Sequence, residues 1–193
     1  MPPTDQSAEG DATNQQVYRI TIRATPQKVW DAFVKEGEVL PFLFNSVLHT
    51  TRLAPGAPIR MRSPDGKTTG VVGEVLEIDP PHRYVHTLRF TPLDDAPCVV
   101  KYEFRPVEGG SEFVRTTTGV PPGTKTSKYM KQGGPFIAKT LKGCVEDGRP
   151  PFGSRVMLCL MKATAWMTPK RCNSEYWPLE KGTDGPHGYP AKK

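Results

Sequence analysis

Apolar and polar residues alternate with a period of two along most of the first 118 positions of the chain. The alternation predicts strands over residues 17–23, 47–53, 59–62, 68–78, 84–90, 98–105 and 112–118. Turn sequences such as Pro64-Asp65-Gly66 separate neighbouring strands. Most of these strands follow one another with no helix between them, which favours one antiparallel sheet over a parallel one.

The hydrophobic period becomes helical at three places. Thr25 and Pro26 are typical of an N-cap and a first helical position, and the residues after them share one apolar face, which predicts a helix over residues 27–34. A second amphipathic helix is predicted around residues 136–145, with a Gly/Pro/Lys-rich loop over residues 120–134 before it. A third helix is predicted over residues 154–167 and is apolar around most of its circumference, so we expect it to be buried.

Three segments carry a family resemblance. ITIRATPQKVWDAF (residues 20–33) resembles the opening of the START-like (SRPBCC, helix-grip) superfamily. GVVGEVLEIDPPHRYVHTLRF (70–90) and GGPFIAKTLKGCVEDG (133–148) resemble its branch named after activators of the heat-shock chaperone ATPase (AHSA-type). The sequence departs from the branch at Pro135, where Trp is common, and at Thr117, near where many members have His.

The resemblance spans about residues 17–148 and implies an α+β helix-grip fold. In that fold a curved antiparallel sheet of about six or seven strands wraps a long C-terminal helix. We therefore expect a disordered tail over residues 1–15, a START-like domain over 16–148, and an extension over 149–193. The extension would hold one extra helix and a Pro/Gly-rich tail anchored near Trp177.

Composition excludes several function classes. The net charge is +6 and the pI about 9.2, but Lys and Arg are spread without a basic stripe interleaved with aromatics, which argues against nucleic-acid binding. The N-terminus lacks the pattern of a signal peptide, and the longest apolar stretch, interrupted by Lys162, is too short to be an integral membrane span. None of the four cysteines forms a CxxC pair with another: Cys98, Cys144, Cys159 and Cys172. We therefore expect a reduced protein with a cytoplasmic location. We also expect no bound metal and no cofactor.

The resemblance also implies a cavity between the sheet and the long helix. Members of the superfamily bind lipids, sterols, polyketides or plant hormones; some cyclise polyketides and some associate with chaperones. Strand parity and helix faces give the candidate ligand-binding residues, each of which is equally explained as ordinary core or surface: Trp30, Phe33, Phe44, Glu74, His86, Tyr102, Arg115, Phe136 and Thr140.

The function predicted is binding of a small hydrophobic or amphipathic ligand, lipid-like or polyketide-like, in this cavity. Glu74 and Arg115 are predicted to pair and orient a polar head group, with hydrogen bonds from His86 and Tyr102. One alternative is a cyclase- or hydrolase-type enzyme acting on a carbonyl substrate, with His86 or Glu74 as its base. Another is a chaperone-associated or stress-response interaction protein.

The Met-rich apolar segment over residues 156–167 leaves three roles open. Packing within the chain is favoured, a homodimer interface is second, and a membrane surface is third. The last needs a basic polar face, for which the sequence offers a few cations: Arg155, Lys162, Lys170 and Arg171.

Overall fold

Nine antiparallel strands form one curled sheet in a computed structural model, which describes residues 10–11, 15–183 and 185–187. The sheet order is β1-β2-β9-β8-β7-β6-β5-β4-β3. The strands are β1 Gly10–Asp11, β2 Gln15–Ile22, β3 Val39–Leu40, β4 Ser46–Thr50, β5 Pro58–Arg62, β6 Thr69–Asp79, β7 Arg83–Phe90, β8 Cys98–Val107 and β9 Gly110–Thr118. Most of the predicted tail over residues 1–15 lies outside the described residues.

Three α-helices accompany the sheet: α1 Pro26–Phe33, α2 Lys125–Asp147 and α3 Phe152–Ala163. Short 3-10 helices lie at Pro41–Leu43, Ala165–Met167, Lys170–Cys172 and Ser174–Tyr176. All seven predicted strands are present, and β1 and β3 add two residues each. The predicted α+β helix-grip architecture, with a long helix against a curved antiparallel sheet and an extra C-terminal helix, is confirmed. Among the described helices, none has the length and apolar character needed to cross a bilayer.

The start of α1 follows from its sequence. The Thr25 hydroxyl accepts a hydrogen bond from the Lys28 backbone N–H at 3.3 Å, and Pro26 occupies the first turn, where its missing N–H costs nothing. Val29, Trp30 and Phe33 are buried on the face turned to the sheet. The helix therefore closes one end of the concave face.

The predicted loop over residues 120–134 is wrong, because α2 begins at Lys125. Thr124 caps it by accepting from the Ser127 N–H at 3.2 Å, and Gly148 ends it with a left-handed φ of 68°. The sequence Gly133-Gly134-Pro135 is typical of a segment that interrupts a helix, yet it lies inside the 23-residue α2. Tertiary packing on β2, β9 and the Pro41–Leu43 helix holds this weak stretch helical.

The outer face of the sheet is partly covered by the chain after α3. Arg60, Val72 and Arg89 are opposite one another on β5, β6 and β7 and share this face. Arg60 is fully buried and donates to the carbonyls of Trp177 and Pro178 at 3.3 and 2.9 Å. Trp177 is itself fully buried, so it anchors the extension on the back of the sheet.

The expectation that the third helix is buried is wrong. Of the residues of α3, only Leu158 is buried, and Ser154 bonds the Thr140 hydroxyl of α2 at 2.7 Å. The large apolar side chains on the rest of the helix face solvent. A helix that is apolar around its whole circumference is predicted to be buried, but the pattern does not identify the surface against which it packs.

Candidate functional site

Polar side chains are concentrated on the concave face of the sheet, beneath α2. The register places Tyr84, Tyr102 and Arg115 opposite one another on β7, β8 and β9. His86 and Thr117 flank Val100 in the next inward-facing row. All are buried, and we call Tyr84, His86, Tyr102, Arg115 and Thr117 the inner polar cluster.

Arg115 is the charged member of the inner polar cluster and is only 3% exposed. It hydrogen-bonds the Tyr102 hydroxyl, and its Nη2 donates to the Met130 Sδ of α2 at 2.9 Å. Its Nε has no partner among the described residues, and no described carboxylate forms an ion pair with it. A buried guanidinium without a counter-charge costs folding free energy unless something else supplies the negative charge.

His86 presents a hydrogen-bond acceptor to the same space. Its Nδ1 lies 2.7 Å from the Thr87 carbonyl oxygen, which only accepts, so Nδ1 carries the proton. Nε2 is then a lone-pair acceptor, buried and without a partner among the described residues. Burial, helped by the positive charge of Arg115, lowers the pKa of His86 to about 4, so the ring is neutral at pH 7.

Two further members have unpartnered polar atoms. The Tyr84 hydroxyl and the Thr117 Oγ1 are buried without partners among the described residues. Burial raises the pKa of Tyr84 and of Tyr102, so both phenols stay protonated. The inner polar cluster therefore joins one permanent cation with neutral groups that donate or accept.

Sequence reasoning missed Tyr84, Thr117 and Met130 as members of this site. Tyr84 lies two residues from His86, and Thr117 lies two residues from Arg115, so each shares a strand face with a predicted site residue. Strand parity alone could therefore have identified Tyr84 and Thr117. No such signal exists for Met130, because the Gly/Pro/Lys-rich sequence around it predicts a loop, whereas the structure has a helix there.

The aromatic candidates lie beside the inner polar cluster. The Phe33 ring is 4.6 Å from that of Tyr102 and also contacts Phe104 and Phe113, while Trp30 meets Phe104 edge-on at 5.6 Å. These rings are buried and fill the α1 end of the concave face. They form an apolar wall next to the buried polar groups.

Phe44 and Phe136 form a second, more exposed aromatic pair. Their rings stack with centroids 4.4 Å apart, and both side chains are half-buried. Phe44 and Asn45 have φ angles of 59° and 57°, a left-handed conformation that is uncommon for residues other than glycine. Gly133 lies beneath the stack, with a Cβ position 3.7 Å from the Phe44 ring. The pair thus connects the buried interior with the surface between α2 and the Pro41–Leu43 helix.

Two candidates lie away from the inner polar cluster. Glu74 is exposed, on the face opposite Val75 of the core, and the structure does not bring it to Arg115. Strict alternation along β6 would put Glu74 on the same face as Ile78, but a register shift between Val75 and Glu77 puts the two on opposite faces. The Thr140 hydroxyl is directed to Ser154 of α3.

The surface clefts are separate from these residues. One, of about 540 Å³, lies along the first turns of α2, and another, of about 580 Å³, lies between Lys67 and Ser174. Neither is lined by a candidate residue. Among the described residues, no group of three or more His, Cys, Asp or Glu side chains is arranged to hold a metal ion.

The family follows from a profile comparison. Residues 23–146 match the profile described as activator of Hsp90 ATPase homolog 1-like protein. The chain belongs to this family. The match runs from α1 into the last turn of α2, so the inner polar cluster lies inside the family domain, whereas β2, α3 and the C-terminal anchor lie outside it. No curated protein matches the chain.

Solved structures show the same fold at low identity. A protein from Arthrobacter aurescens aligns with TM-score 0.59 and 14% identity over 74% of this chain and 92% of its own. One from Mesorhizobium loti aligns with TM-score 0.56 and 20% identity, over 66% and 93%. An Aha1 dimer from Colwellia psychrerythraea aligns with TM-score 0.55 and 16% identity, over 68% and 96%. At these identities the solved structures show the fold alone, and the chemistry has to be argued from the site.

Proposed function

We propose that this protein binds a small amphipathic molecule whose polar end carries an anionic oxygen, of which a carboxylate is the simplest form. The observation that carries the proposal is Arg115, a buried cation with an unpartnered Nε and no described carboxylate beside it. An anionic oxygen would supply the missing counter-charge and accept the free N–H.

The neighbouring groups favour a ligand end with mixed hydrogen-bonding capacity. His86 Nε2 only accepts at neutral pH, whereas the hydroxyls of Tyr84 and Thr117 rotate to donate or accept. A polar end with an anionic oxygen next to a hydroxyl would satisfy Arg115 and His86 together. Burial in a low-dielectric interior strengthens each of these bonds.

The apolar part of the ligand would lie against the aromatic side chains. Phe44 and Phe136 are half-buried, so they retain apolar surface that a ligand would remove from water. Met130 occupies the space over Arg115, and its unbranched thioether adopts alternative rotamers with little strain. We therefore infer that the ligand displaces the Met130 side chain when it reaches Arg115.

The middle of α2 is suited to admit such a ligand. Pro135 cannot donate to the carbonyl of Lys131 four residues earlier, and Gly133 and Gly134 lower helix propensity. This weak stretch lies directly over the inner polar cluster, since a Cβ on Gly134 would be 3.3 Å from Arg115 Nη1. The half of α2 before Gly133 is therefore the element that we expect to move on binding.

Binding is favoured over catalysis by the state of His86. A general base works best with a pKa near the working pH, and His86, with a pKa of about 4, is a weak base. Glu74, the other base considered, is exposed on the opposite face of the sheet. The description of the matched family, activator of Hsp90 ATPase homolog 1-like protein, makes a chaperone partner the second candidate, but no contact in the described residues points to one.

The test is native and denaturing mass spectrometry of the full chain, as purified and after incubation with decanoate. We expect one bound small molecule per chain, lost on denaturation, and far lower occupancy in Arg115→Met. The matched control, Arg105→Met, removes a half-exposed arginine from the neighbouring strand β8 and should bind normally. A wild-type chain that carries nothing and takes up no decanoate would overturn the proposal, as would equal occupancy in Arg115→Met.

A further inference from the structure

Exposed apolar side chains are concentrated on α3 and the 3-10 helix after it. Of eleven large apolar residues exposed among the described residues, seven lie between residues 152 and 167. We call these seven the α3 patch: Phe152, Val156, Met157, Leu160, Met161, Trp166 and Met167. Exposed apolar area of this extent marks an interaction surface.

The α3 patch has a defined orientation on the domain. Leu158 is buried and Ser154 is bonded to α2, so that side of α3 faces the protein. Phe152, Val156 and Leu160, four residues apart, share the opposite side and point to solvent. Phe152 and Trp166 are 78% and 83% exposed, the largest values in the patch.

The charged residues in the stretch of chain that carries the α3 patch are all basic. The chain has no acidic residue between Asp147 and Glu175. The stretch contains four exposed cations, Arg149, Arg155, Lys162 and Lys170, while Arg171 is paired with Asp94 at 2.8 Å. A partner for this surface therefore has to offer both an apolar layer and negative charge.

We propose that the α3 patch docks on the surface of an anionic phospholipid bilayer. Its apolar side chains would enter the boundary between head groups and acyl chains, and the surrounding cations would contact lipid phosphates, as in an interfacial helix. A second copy of the chain fits less well, because a two-fold contact would bring the cations of both patches together, and the stretch that carries the patch has no acidic residue to pair them. The inference uses residues separate from the inner polar cluster, so either proposal can fail alone.

The experiment is flotation of the full chain with vesicles of phosphatidylcholine, with and without 30% phosphatidylglycerol. We expect preferential binding to the anionic vesicles, weakened severalfold when salt rises from 0.15 to 0.5 M, as Debye screening predicts. Trp166 gives a second readout, since Trp30 and Trp177 are buried, and its emission should shift to the blue on anionic vesicles.

The variant Phe152→Glu/Leu160→Glu should lower binding at least tenfold. The matched control, Leu76→Glu/Val107→Glu, places the same charges at exposed apolar positions outside the patch and should bind as wild type. Equal binding to both vesicle types, or unchanged binding of the patch variant, would overturn the proposal. So would a wild-type dimer in sedimentation that the patch variant converts to monomer, because the patch would then belong to a second copy.

Discussion

The guanidinium of Arg115 on β9 donates a hydrogen bond to the Met130 thioether of α2 across 2.9 Å. Thioether sulfur is a weak acceptor, so the partner that α2 offers to this buried cation is a poor one. The contact joins the charged centre of the site to the half of α2 that lies before Gly133. The unliganded state is therefore held by an interaction that an anionic oxygen readily replaces.

Met130→Leu tests this replacement. Leucine keeps the volume but leaves the Arg115 Nη2 without an acceptor, which should lower the free energy of unfolding by about 1–3 kcal/mol. Decanoate should bind severalfold more tightly, because the ligand restores the lost bond. Urea unfolding and calorimetric titration measure the two effects, with Met61→Leu on β5 as control. Weaker decanoate binding by Met130→Leu would argue against displacement of the thioether.

Arg115→Met should weaken ligand binding without lowering the free energy of unfolding. Replacing a buried, uncompensated charge with an apolar side chain of similar length should leave the free energy of unfolding unchanged or raise it by about 1–4 kcal/mol. Urea unfolding checks this, and Arg105→Met at the surface should change the value by no more than about 0.5 kcal/mol. A loss of several kcal/mol in Arg115→Met would mean that the cation is already compensated in the free protein.

The fold was largely predictable because strand alternation and the α1 cap are local signals. The inward positions of His86, Tyr102 and Arg115 followed from the same alternation. The predicted role of Glu74 is wrong because Glu74 shares the outer face of the sheet with Val72, and the register shift near Val75 brings only Ile78 to the inner face. The start of α2 was not predictable from the sequence, because the low helix propensity of Gly133-Gly134-Pro135 argues against a helix there. The reason for the two glycines is visible only in the structure, where Gly134 packs on Arg115 and Gly133 on Phe44.

Stability should depend on pH through His86. Its pKa in the folded protein is about 4, below the ordinary value of 6.5, because burial disfavours the charged ring. The unfolded chain therefore takes up a proton first as the pH falls, and the free energy of unfolding decreases between pH 6.5 and about 4. At about 1.36 kcal/mol per pH unit, the His86 contribution is on the order of 3 kcal/mol.

Urea unfolding at pH 7 and pH 5 of wild type and His86→Leu measures the part of this contribution that is lost above pH 5, about 2 kcal/mol. The variant should show a flatter dependence, since carboxylates titrate alike in both chains and cancel in the difference. His49→Gln is the comparison, because burial and the charge of Arg62 also lower the pKa of the half-buried His49, and its removal should flatten the slope less than His86→Leu does. Identical slopes for wild type and His86→Leu would show that His86 titrates normally in the folded protein.

Gly134 and Gly133 form a matched pair on α2. Each Gly→Ala change should add up to about 1 kcal/mol of helix propensity. A Cβ on Gly134 would lie 3.3 Å from Arg115 Nη1, which is tight, whereas one on Gly133 would make ordinary contact with Phe44 at 3.7 Å. Both changes stiffen α2 alike, so the contact with Arg115 decides the difference, and Gly134→Ala should lower decanoate affinity severalfold more than Gly133→Ala. Equal affinities in calorimetry would show that Arg115 adapts freely or does not hold the ligand.

The most direct test of the central claim is calorimetric titration of wild type, Arg115→Met and Arg105→Met with decanoate and with 1-decanol. The two ligands share a chain length and differ in the charged end. We predict that wild type and Arg105→Met bind one decanoate roughly ten- to a hundredfold more tightly than decanol, the size expected for charge-assisted hydrogen bonds. Arg115→Met should lose that preference. No decanoate binding, or the same preference in all three proteins, would contradict a site built around Arg115.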